Sequence, residues 1–167
     1  MKRRFTPADA EVFVYSFKDG LLSAVAHDLK LAVRQFWVEV DEAHVRAEFD
    51  ARSLRVVTTR KDGRDSSGLL PTAMYGEIES NIVKDVLHAP RFPAISFQGE
   101  ATPTEVSGTL TLCGQARKLT CTRRDEGSTL VARVTFDQRD FGIKPYTAML
   151  GTLKIKPHVD VEVRLRG

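Results

Sequence analysis

Apolar residues recur at every second position along most of this chain. Counting by twos through residues 25–33, Val25, His27, Leu29, Leu31 and Val33 fall on one face, and Ala26, Asp28, Lys30, Ala32 and Arg34 on the other. That is the alternation of a half-buried strand. The same period runs through residues 11–17 and 22–40, and returns in 44–57 after a charged break at Asp41–Glu42. Residues 58–71, rich in Gly, Asp and Ser, read as a loop. Further on, Ile95, Phe97, Gly99 and Ala101 share a face, as do Leu130, Ala132, Val134 and Phe136. The stretches "EVSGTLTLC" and "ARKLTCTRR" are expected to pair around a tight turn at Gly114–Gln115, and Gly127 to turn the chain again. In the last segment Leu153, Ile155, Val159, Val161, Val163 and Leu165 face in. Lys154, Lys156, His158, Asp160, Glu162 and Arg164 face out. One segment departs from this period: in "AMYGEIESNIVKDVLHAP" Ile78, Ile82, Val83, Val86 and Leu87 recur at helical spacing, and Pro90 ends the run.

About eight strands, each with one polar face, and a single helix in a connection predict an all-β fold whose antiparallel sheet must hide an apolar side. Two packed sheets or a closed barrel would do so, and the long strands favour a lipocalin-like barrel. A barrel of that size is just wide enough to fill itself with side chains or to hold one slender ligand. The 167 residues are read as a single domain, 1–167.

Composition narrows the function. Hydrophobic residues make up 42% and charged residues 28%, an ordinary soluble balance, and a net charge of +3 is too small to imply nucleic acid. The "KRR" at 2–4 and Arg123–Arg124 are read as solvated charges. After its basic start the chain is interrupted by Pro7, Asp9 and Glu11, unlike the apolar run of an export signal, and nothing approaches a membrane-spanning segment. A cytoplasmic protein is expected. Cys113 and Cys121 lie too far apart along paired strands for a disulfide and fit no zinc spacing, so they are read as structural thiols.

Catalytic patterns are missing: there is no G-x-S-x-G, no H-E-x-x-H and no glycine-rich phosphate loop. No metal or cofactor is expected. His27 and Asp28 point to opposite faces and cannot act as a dyad. His27 is either a satisfied core histidine or a polar contact inside a cavity. An acid–base pair of His27 with Asp140 is the remaining enzymatic option.

Several stretches together resemble one known family. "VSGTLTLCGQARKLTC" resembles its G-x-L-T-x-x-G-x-x-[KR] hairpin, "DVLHAPRFPAISF" its helix end and following strand, "FDQRDFGI" its RxDFGI element, and "FDARSL" an earlier strand. The chain is similar, over roughly residues 10–165, to the YceI-like family, whose bacterial members bind polyisoprenoid-type lipids in an elongated lipocalin-like barrel. The resemblance implies a non-catalytic carrier or store for an isoprenoid-like or other amphiphilic lipid, and His27 matches the family's early histidine. The alternative is an interaction module with a filled barrel, possibly a homodimer.

The expected ligand-binding residues are His27, Leu29, Leu31, Phe97, Phe136, Arg139, Asp140, Phe141, Tyr146 and Met149. Alternation from Val134 and Phe136 puts Gln138 and Asp140 inward unless Gly142 marks a bulge. Arg139–Asp140 can either hold a phosphate-like head group or form a structural ion pair. Phe141, Tyr146, Met149 and Leu150 are placed near a barrel mouth, and Ile78, Ile82, Val86 and Leu87, with Phe92, are expected to plug or gate one end.

Overall fold

A computed structural model describes residues 1–19, 27–148 and 153–167. Its strands are β1 (Lys2–Phe5), β2 (Ala10–Ser16), β3 (Asp28–Val33), β4 (Phe36–Asp41), β5 (His44–Asp50), β6 (Leu54–Lys61), β7 (Arg64–Asp65), β8 (Ala94–Ala101), β9 (Glu105–Leu112), β10 (Gln115–Glu126), β11 (Thr129–Asp137), β12 (Thr147–Ala148), β13 (Leu153–Lys154) and β14 (His158–Arg166). Twelve of them form one sheet in the order β1-β4-β5-β8-β9-β10-β11-β14-β2-β3-β6-β7, and β12 and β13 make a separate ribbon. Among the described residues the strand pairings are antiparallel throughout. The sheet curls so that β2 to β6, β8 to β11 and β14 all turn side chains into one interior space. This is the predicted all-β barrel, with more strands than eight.

The helix α1 (Tyr75–Asn81), entered through a 3-10 turn at Thr72–Met74 and continued by a π turn at Ile82–Val86, covers one end. It stops at His88, which takes a left-handed φ of 47°, two residues ahead of Pro90. Ile78, Ile82 and Leu87 pack on the buried cluster of Leu29, Leu31, Leu54 and Val56. Three polar contacts fasten this cover. The Val56 amide donates to Glu79 Oε2 at 2.8 Å, Asn81 Nδ2 to the Tyr146 hydroxyl at 3.3 Å, and Cys113 Sγ to the Leu87 carbonyl at 3.2 Å. Val56 precedes the irregularity in the β3–β6 pairing, so the carboxylate serves an amide of the edge ladder. The opposite end carries the 41–44, 101–105 and 126–129 turns, where Ala101 N donates to Ala43 O and Arg123 N to Thr104 O.

The barrel curls tightly where β8 meets β9. Gly99 and Gly108 face each other in register. A methyl on Gly108 would run into the Gln98 carbonyl oxygen and come within 2.7 Å of Phe97 Cζ. Only glycine leaves room for that backbone approach.

Local turn chemistry changes several expected boundaries. The predicted loop over 58–71 is partly strand: β6 runs on to Lys61 and turns back into β7 through Asp62–Gly63, both with positive φ. Asp-Gly between paired residues is a strong two-residue hairpin signal. The hairpin between β9 and β10 turns at Cys113–Gly114, not Gly114–Gln115, because Leu112 pairs with Gln115 and both turn residues have positive φ. The run read as one strand over 22–40 contains two, β3 and β4, which break at Arg34–Gln35 and pair with different neighbours. The final strand is broken before His158 by Pro157, which has no amide to give the ladder. Outward-facing His158 is half-buried and stacks on Phe17 at 5.0 Å between ring centroids, and Glu162 is buried.

Candidate functional site

The inward faces of the strands enclose a cavity of about 690 Å³, within the range of small-molecule sites. Its wall is what period-two alternation requires. Leu29, Leu31 and Val33 come from β3, Leu130, Ala132, Val134 and Phe136 from β11, and the inward valines from β14. Ile78, Ile82, Val86 and Leu87 of the helical segment close one end. Phe92 does not reach the cavity; its ring lies against Gly114 and under the Arg91 guanidinium. Most of the lining is aliphatic or aromatic, so a long hydrocarbon can lose its hydration here at about 0.8 kcal/mol per methylene.

Polar groups sit at the ends. Toward the helix, His27, Ser16, Asn81, Gln138 and Tyr146 line the space. Asn81 is bonded to Tyr146, and Gln138 Nε2 donates to the Lys156 carbonyl at 3.3 Å. Burial, and secondarily the charge of Lys18, hold the His27 imidazole below its ordinary value, while Asp28 pulls weakly the other way. His27 is therefore a neutral donor–acceptor at pH 7. Asp28 points outward and accepts from the Lys18 amide, so the two adjacent residues form no dyad.

The depressed His27 value has a consequence for stability. As pH falls below about 6.5, the unfolded chain binds a proton that folded His27 resists, so stability present above that pH is lost. His27→Gln is expected to show a smaller fall in Tm between about pH 7.5 and about pH 5.5 than the parent chain. An identical fall in both would place His27 in a water-like setting.

Six expected site residues reach the cavity wall: His27, Leu29, Leu31, Phe97, Phe136 and Tyr146. Three do not. Residues Gln138–Phe141 form a 3-10 turn capped by Asp137, and Gly142 ends it with a left-handed φ of 72° rather than forming a strand bulge. The turn breaks the alternation after Phe136. Gln138 stays on the wall, but Asp140 swings out to solvent. Arg139 lies exposed and pairs with Asp137 at 2.6 Å, not with Asp140, and that guanidinium holds the Asp137 carboxyl below the usual range. Neither Arg139 nor Asp140 faces a ligand, and the His27–Asp140 pair is not assembled. Phe141 is core: it packs with Leu112 and Ile143. Met149 and Leu150 lie outside the described residues.

Among the lining residues not expected from the sequence, Cys121 and Arg123 bear on the chemistry. Cys121 is on the wall, its thiol pushed up to about 11 by burial, and both cysteines are free. A protonated buried thiol is a small apolar surface rather than a nucleophile. Arg123, read as solvated, also lines the cavity. Counting by twos from Leu119 and Cys121 carries it inward, a signal that its pairing with Arg124 obscured. Among the described residues, no group of three His, Cys, Asp or Glu side chains is placed to hold a metal ion, and no helix is long and apolar enough to cross a membrane.

The family model of the YceI-like domain matches residues 16–166. No curated protein compared with the chain matches it. Among solved structures, BcnA of Burkholderia cenocepacia is similar at 18% identity and a TM-score of 0.63, covering 96% of this chain and 98% of that one. A polyisoprenoid binding domain from Saccharophagus degradans is similar at 11% identity and 0.63, covering 99% and 98%. The YceI protein of Campylobacter jejuni is similar at 11% identity and 0.53, covering 83% and 85%. At these identities the likenesses concern the fold.

Proposed function

The chain belongs to the YceI-like family, and from that premise we propose that it binds a long-chain amphiphilic lipid of isoprenoid type in the barrel interior and carries or stores it without chemical change. The observation that carries this reading is the hollow interior: aliphatic side chains from both halves of the sequence face a space of about 690 Å³ instead of meeting across it. A barrel serving only as an outward-facing module would gain stability by filling that space, since unfilled volume forfeits dispersion contacts. The polar groups at the ends suit an amphiphile, which needs a dry channel for its chain and a few hydrogen bonds for its head. The similarity to a polyisoprenoid binding domain agrees with a tail of that kind. The unpaired thiols Cys113 and Cys121 suit a reducing compartment, and we place the protein in the cytoplasm.

Native mass spectrometry of the purified protein, followed by organic extraction, tests the proposal. The expected result is a discrete adduct released as a long-chain isoprenoid or fatty species. A bare mass that stays bare after incubation with polyprenyl alcohols and polyprenyl phosphates would overturn it in favour of an interaction module.

A further inference from the structure

We propose that Arg123 forms an anion-binding subsite at the end of the cavity away from the helix, and that it selects an amphiphile with a carboxylate head and points its tail toward the helical cover. This rests on the lipid-binding reading above and adds the class of head group and its direction.

Arg123 stands on β10 beside Ala132 of β11, with which it is in register, and its side chain lines the cavity along with Cys121, Ala101 and Val106. One guanidinium nitrogen is used: Nη1 donates to the Thr102 carbonyl at 2.9 Å, which anchors the group to the turn after β8. Nε is buried and has no hydrogen-bond partner, the one such side-chain atom among the described residues. Asp125 approaches it only to 3.7 Å, beyond a hydrogen bond, and is largely in solvent. The free edge of the group is the one that takes carboxylates elsewhere in this molecule. Arg4 meets Glu39, Arg52 meets Asp50 and Arg139 meets Asp137, each through Nε together with Nη2. A planar fork of this kind matches a carboxylate bidentately. Leaving a buried donor unmade is costly; Nε is closed off from solvent, so a ligand oxygen removes that cost once the fork turns toward the cavity that the side chain lines.

The charges around the rest of the cavity set the direction. At the helix end the lining ionisable groups are Glu77, Asp50 and neutral His27, none a cation. Asp50 is already matched by Arg52. The residues between 19 and 27 and between 148 and 153 contain no Lys or Arg in the sequence. Both ends carry acids, with Glu42 and Asp125 near Arg123, but Arg123 is the one cation among the lining residues. Glu42, on the neighbouring 41–44 turn, also borders the Arg123 end, but it is exposed. Its charge is screened by water, and more so than that of Arg123, whose side chain is 24% exposed with Nε buried. From Gln115, at the helix end of β10, to Arg123 the strand covers roughly 25 Å at about 3.3 Å per residue, enough to separate a head from most of a long tail.

The test is calorimetric titration of the delipidated protein with hexadecanoate and with hexadecanol, which share a chain and differ in the head. The parent chain is expected to bind hexadecanoate more tightly. Arg123→Leu should lose about tenfold or more for hexadecanoate, the scale of one charge-assisted hydrogen bond, with hexadecanol unchanged. Arg123→Lys, which keeps the charge but not the fork, should fall between. Retained hexadecanol binding shows that the variants are folded. If both ligands bind the parent equally, or Arg123→Leu lowers both alike, the subsite is wrong and the lipid reading stands. If the parent takes up neither chain, the subsite is likewise wrong, and the lipid reading falls with it only if polyprenyl alcohols and polyprenyl phosphates also leave the protein bare.

Discussion

A tryptophan in place of Val134 is expected to abolish uptake of a long-chain lipid while leaving the barrel folded. Val134 stands on the cavity wall between Ala132 and Phe136, opposite Val161 in register, so a larger side chain there projects into open volume. If the indole displaces about four methylene groups of the tail, at about 0.8 kcal/mol each, affinity falls by roughly a hundredfold or more. Because the new atoms enter existing space, the usual cost of overpacking should be absent, and Tm should hold or rise. The site matters. Leu31, only 2% exposed, packs with Leu29, Leu54 and Val56 against the helical cover, so a tryptophan there would confuse blockage with strain. Native mass spectrometry and a thermal melt on Val134→Trp decide the matter together. A variant that still carries full-length lipid would show that the tail does not pass this point. A variant that melts early would show that the space is not available.

Period-two alternation makes the wall of this cavity legible in the sequence. On β3, β11 and β14 it assigns the inward residues correctly, because burial on one face of a strand is a local demand that every second residue must meet. Alternation says nothing about how far apart opposite walls stand, so hollowness was not legible; a filled barrel has the same pattern. It also fails where the backbone leaves the strand. Carrying the count from Phe136 through residues 138–141 put Asp140 inside, but Asp137 accepts from the Arg139 amide and starts a 3-10 turn that rotates Asp140 outward. An Asx cap competing with the ladder is the physical reason. Arg123 was obscured for the converse reason. Its charge argued for solvent, yet its position in the alternation was inward, and position prevailed because the guanidinium could reach a turn carbonyl.

The sharpest separation that the structure makes is between two phenylalanines in contact. Phe136 and Phe141 meet edge to face, with centroids 5.2 Å apart and planes at 70°, and the sequence grouped both as ligand-binding. Phe136 lines the cavity. Phe141 is 1% exposed and fills the space between Leu112 and Ile143 behind it. Phe141→Ala leaves a void among side chains held by three separate strands and turns, and is expected to cost about 3–5 kcal/mol. For a chain of this size that lowers Tm by roughly 10 °C. Phe136→Ala only enlarges a cavity that already exists, so its wall neighbours lose contact on one side alone. It should melt several degrees above Phe141→Ala. Ligand binding should rank the other way: once each variant is held below its Tm, Phe136→Ala should bind hexadecanol more weakly than Phe141→Ala, which leaves the wall itself in place. Equal melting temperatures for the two variants would mean that Phe136 is as much core as Phe141 and that the space beside it is closed. A stable Phe141→Ala with impaired binding would return Phe141 to the lipid's path.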